Sequence, residues 1–93
     1  MRLLYSFRFQ RIGDTWLANA VGQNAHLFNG ILQLNEVGYF IVSQLANLPD
    51  LPETQIIIRL TESLTKEYAV DSATAQTAVQ NVLNYLKSEQ VLA

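Results

Sequence analysis

The chain of 93 residues contains no cysteine, so it can form neither a disulfide framework nor a thiolate metal site, and a reducing compartment is permitted. It has one histidine, His26, and no pair of carboxylates at a recognisable catalytic spacing. A lone imidazole beside a strand supplies neither a metal-ligand cluster nor a base with a nucleophile to activate, so no catalytic role is assigned. Cations are few: Arg2, Arg8, Arg11, Arg59, Lys66 and Lys87 are scattered through a chain of net charge −2. With no concentrated basic face, nucleic acid is not an expected partner. No apolar run approaches the roughly 20 residues needed to span a bilayer. The opening Met1 to Arg8 lacks the unbroken apolar core of a signal peptide, which points to the cytoplasm and away from a membrane.

What is present is a core-forming pattern, with 49% hydrophobic residues in one stretch of single-domain size, residues 1–93. Residues 1–6 are read as an N-terminal tail. Three extended segments follow, Phe7 to Ile12, Trp16 to Val21 and Leu27 to Leu34, separated by the turn signals Gly13-Asp14 and Gly22-Gln23-Asn24. Turns this tight suit an antiparallel meander. Trp16 reads as core or sheet-face packing. Gly30 within the third segment suggests a bulge or a close backbone approach.

At Asn35 the period changes. Val37, Phe40, Ile41, Gln44 and Leu45 lie on one helical stripe that ends near Asn47-Leu48-Pro49, with Asn35 as the cap. Asp50-Leu51-Pro52-Glu53 offers a capping carboxylate and a proline tolerated in the first turn of a second helix, Pro52 to Glu67, with Ile56, Ile57, Leu60, Leu64 and Tyr68 inward. Asp71 or Ser72 can cap a third helix, whose Ala75, Ala78, Val79, Val82 and Leu86 share a narrow arc, flanked by Leu83 on one shoulder and Tyr85 on the other. Glu62, Glu67, Asp50 and Glu53 are accounted for as helix-surface charges and caps. The fold class expected is α+β, winged-helix-like, with a three-stranded antiparallel sheet followed by three helices.

The run Phe28-Asn29-Gly30-Ile31-Leu32-Gln33-Leu34-Asn35-Glu36-Val37-Gly38-Tyr39-Phe40 resembles a phrase of the PqqD family, small winged-helix-like proteins also described as precursor-peptide recognition elements. Tyr68-Ala69-Val70-Asp71, followed by Ala75, Val79, Leu83 and Leu86, is similar to that family's passage from second to third helix, and the likeness spans roughly residues 7 to 92. Family members often differ in having a larger residue where Val42 stands, an acidic one at Ala78 and a glycine near Gln90.

The resemblance implies a non-catalytic chaperone that binds the leader segment of a ribosomally made precursor peptide. It then presents that leader to a modifying enzyme, often a radical S-adenosylmethionine enzyme, and needs no cofactor of its own. It also implies that the leader adds as a strand beside the third strand and packs against the third helix. Candidate peptide-binding residues are therefore Leu27, Phe28, Asn29, Gly30, Ile31 and Leu32 from the strand, with Gln76, Val79, Gln80, Leu83 and Lys87 from the helix. Helical phase alone leaves the opposite flank, Thr74, Asn81 and Tyr85, open. Two other readings are weighed: a structural or regulatory subunit that pairs through the same edge with an enzyme or as a homodimer, and a winged-helix DNA reader. The second is opposed by a third helix that carries one cation, Lys87, and begins at Asp71.

Overall fold

A computed structural model describes residues 1–28 and 30–93. Three strands, β1 (Ser6–Ile12), β2 (Thr15–Val21) and β3 (Leu32–Leu34), precede three helices, α1 (Glu36–Ala46), α2 (Glu53–Tyr68) and α3 (Ser72–Ser88). The sheet is antiparallel throughout in the order β1-β2-β3, the α+β arrangement expected. No helix among the described residues is long and apolar enough to cross a membrane.

β1 and β2 form a tight hairpin in which Ile12 opposes Thr15. Gly13 holds φ 62, the left-handed conformation such a two-residue connection needs at its first position. Strand alternation then puts Phe7, Phe9, Trp16, Ala18, Leu32 and Leu34 on one face, with Ala18 and Leu32 fully buried. The helices cover that face and bury Ile41, Val42 and Leu45 of α1, Ile56, Leu60 and Leu64 of α2, and Ala75, Val79, Leu83 and Leu86 of α3. Trp16 stacks on Tyr39 of α1, ring centroids 3.8 Å apart, and Phe9 meets the same tyrosine edge-on at 5.0 Å. These contacts anchor the first helix to the sheet.

The strand-to-helix junction is a steric and hydrogen-bonded unit. The Asn35 side-chain oxygen accepts from the Gly38 amide at 2.7 Å, which satisfies one of the free donors of the first turn. A Cβ at position 38 would sit 3.2 Å from that oxygen and 3.3 Å from Leu34 Cδ2. Glycine therefore lets the cap and the end of β3 close on each other. At α3 the cap is Asp71, whose carboxylate accepts from the Thr74 amide at 2.7 Å. Hydrogen bonds from Thr74, side chain first and then backbone, hold this carboxyl below the usual carboxylate range.

Three expectations need correction. Among the described residues of the third segment only Leu32–Leu34 joins the ladder, whereas Ala25–Leu27 forms a 3₁₀ turn secured by bonds such as Leu27 N to Asn24 O at 3.0 Å. The chain detours there to seat the Phe28 ring against Tyr5 and Phe7, at centroid distances of 5.6 and 6.1 Å. Asp50 does not cap α2. It accepts from the Met1 ammonium at 2.6 Å, and that hydrogen bond and charge, aided by Arg2, lower its pKa. Residues 1–6 are not a loose tail, because Leu3 bridges Leu92 and the amides of Arg2, Leu4 and Ala93 bond across that junction. The turn that feeds Val91 into the core puts Gln90 at φ 59, a conformation that favours glycine.

Candidate functional site

β3 is paired on one side alone: its inner edge meets β2, and among the described residues no strand lies along its outer edge. The Gln33 amide points outward and donates to the Tyr85 hydroxyl of α3 at 2.9 Å. In an antiparallel ladder, main-chain groups of successive residues face opposite edges. Leu32 and Leu34 therefore bond inward to β2, and the same alternation carried one residue before β3 would turn Ile31 outward with Gln33. The rim offers the backbone of Ile31 and Gln33 to a neighbour.

Beside this rim runs a groove lined by Gln33, Leu34, Asn35, Gly38, Asn81, Val82 and Tyr85, with a volume of about 190 Å³. None of these side chains is charged. One turn earlier on α3, Thr74 and Ala78 line a more apolar pocket of about 230 Å³ with Val37, Leu64, Tyr68 and Val70. Burial, and then the charges of Glu36 and Glu67, raise the Tyr68 phenol above its ordinary pKa, so it is neutral at any physiological pH. Such surfaces favour apolar and main-chain partners over ions.

The candidate residues divide into four groups. Leu27 and Ile31 are large exposed apolar side chains, 63% and 53% accessible, at the approach to the rim. Phe28 is half-buried in its aromatic cluster, and Asn29 lies outside the described residues. Gly30 leaves space for that cluster, since a Cβ there would lie 3.1 Å from Phe28 Cζ. Gly30 lies before the ladder of β3 begins at Leu32. Leu32, Val79 and Leu83 are fully buried and act from beneath, as core.

Gln76, Gln80 and Lys87 occupy the shoulder of α3 turned away from Tyr85. Gln80 donates to Asn84 at 3.2 Å, and Lys87 meets Glu53 of α2 at 2.5 Å. The flank beside β3 is the one helical phase left open, marked by Asn81 and Tyr85 and extended by Val82. The one sequence signal for it is the apolar shoulder reaching to Tyr85. Because Lys87 is the sole cation of α3 and is engaged by Glu53, the helix has no free cation to offer a phosphate. Among the described residues no group of three or more His, Cys, Asp or Glu could hold a metal.

Comparison with known proteins follows the same lines. The profile described as "Coenzyme PQQ synthesis protein D (PqqD)" matches residues 22–92. The chain belongs to the PqqD family. No curated protein matched it. Among solved structures, the PqqD-family fold seen here is similar to one titled "TbiB1 in Complex with the TbiA(beta) Leader Peptide", with a TM-score of 0.63 and 21% identity. The match covers 99% of this chain and 94% of that one. At this identity the likeness speaks for the fold. Of the groove's lining in this PqqD-family chain, Gln33, Leu34, Asn35 and Gly38 fall within the family phrase of residues 28–40, and Asn81, Val82 and Tyr85 come from α3.

Proposed function

We propose that this protein is a non-catalytic peptide-binding module that takes the leader segment of a ribosomally made precursor as an added strand on β3 and presents it to a modifying enzyme. The observation that carries this reading is the outward-facing Gln33 amide on the edge of β3 away from β2, beside the uncharged groove of Asn81, Val82 and Tyr85. An unpaired edge supplies affinity through main-chain hydrogen bonds, and pockets at alternate positions supply discrimination. Exposed Ile31 and Leu27 add apolar surface for a ligand to cover. Membership of the PqqD family and the leader peptide bound by TbiB1 support the same occupant. The recipient enzyme is of the radical S-adenosylmethionine class in this reading.

The test is to select peptides from a displayed random library on the immobilised chain, synthesise the enriched sequence and titrate it into isotope-labelled protein. The expected result is that the resonances of Ile31, Gln33, Asn81 and Val82 move together in a one-to-one complex. Shifts confined to Gln76, Gln80 and Lys87, or to β1, would refute the site. Affinity that falls as the protein is concentrated would favour pairing between two copies through the same rim.

A further inference from the structure

From the same contact we infer that Tyr85 is a place-holder: its hydroxyl occupies the position of an incoming strand's carbonyl oxygen and must be exchanged for it when a peptide docks. This deepens the peptide-binding reading and rests on it. The Gln33 amide is the central outward donor of a three-residue strand, and its 2.9 Å bond to the phenol has the length of an ordinary ladder bond. A phenol can accept as well as donate, so one α3 side chain reproduces what a neighbouring residue would offer. No second acceptor position of equal quality exists on a single N–H. Peptide carbonyl and phenol are therefore alternatives at this amide.

Two properties follow. In the free chain the phenol satisfies a donor that would otherwise invite a second copy, and it ties β3 to α3 across the groove between them. On docking, rotation of one side chain frees the amide and opens that end of the groove, with no backbone rearrangement required. Asn81, one turn away on the same flank, lines the groove beside the phenol and is placed to contact the peptide. The energetic cost of breaking the phenol bond is subtracted from whatever affinity the rim provides, so Tyr85 sets a threshold that weakly matched peptides do not cross.

The test is Tyr85→Phe, which keeps the ring and deletes the acceptor. Two measurements are made: exchange of the Gln33 amide in the free protein, and affinity for the peptide selected on the unmodified chain. Expected are faster Gln33 exchange in Y85F and peptide binding about 2- to 12-fold tighter, the span of a single neutral hydrogen bond. The difference in Gln33 exchange should vanish once both proteins are saturated with peptide. If the peptide still contacts the β3 rim but Y85F binds it equally or more weakly, the place-holder role is wrong while peptide binding stands. If no selected peptide touches the rim in either protein, strand addition fails and takes this role with it.

Discussion

Replacing Ile31 by proline isolates the contribution of one rim amide. Ile31 precedes the ladder of β3 and is 53% accessible, so the substitution removes neither a ladder bond to β2 nor core packing. Proline has no N–H, so a docked peptide loses one main-chain hydrogen bond there. A net worth of about 0.5–1.5 kcal/mol for such a bond corresponds to a 2- to 12-fold loss of affinity. Ile31→Ala is the reference, because it deletes the same apolar surface and keeps the donor. Calorimetric titration of a library-selected peptide into both variants, after thermal melts show both are folded, gives the ratio. Leu32→Pro is the contrasting case. It removes an inward ladder bond and a fully buried leucine, about 3–5 kcal/mol together, and should leave little folded protein. Equal affinities for I31P and I31A would refute main-chain pairing at this rim.

Other outcomes are expected from the same geometry. Lys87→Ala and Gln76→Ala should leave peptide affinity unchanged within about 2-fold, since both lie on the far shoulder and exposed ion pairs such as Lys87–Glu53 contribute little; a larger loss would relocate the groove. Ala69→Gly should raise stability to denaturant by about 1 kcal/mol, because Ala69 caps α2 at φ 52 where a Cβ is crowded. Leu83→Ala, at a fully buried position, should lower it by about 2–5 kcal/mol. Asp71 has a folded pKa below its unfolded value, so its contribution is complete above the unfolded carboxylate pKa and disappears as pH falls through the lowered one. Asp71→Asn should therefore flatten the acid limb of a melting-temperature profile, and an unchanged limb would mean that the cap carries no such linkage.

Features set by near neighbours in the chain are legible in the sequence. Asn35 and Gly38 act within one turn of each other, Asp71 and Thr74 likewise, and the Gly13 hairpin is decided by two residues. Contacts across long separations are not. Phe28 leaves the expected strand because its ring reaches Tyr5 and Phe7 more than 20 positions away, and Asp50 is drawn from its cap by Met1, 49 positions away. The helix flank is the instructive case. Periodicity shows that Gln76, Gln80 and Lys87 share one shoulder and Asn81 and Tyr85 the other, but which shoulder meets the sheet depends on how α3 crosses it. The hydrogen bond between Gln33 and Tyr85 spans 52 positions, and no local pattern announces it.

The two borders of the sheet are chemically unlike. β1 is the longer outer strand at seven residues, yet it carries exposed Arg8 and Arg11, the latter folded back onto the Gly13 carbonyl at 2.9 Å. Like charges on that border repel a second copy of itself. Two copies meeting along β1 would set these arginines against one another, so the two borders of the sheet differ in how readily each pairs with its own copy.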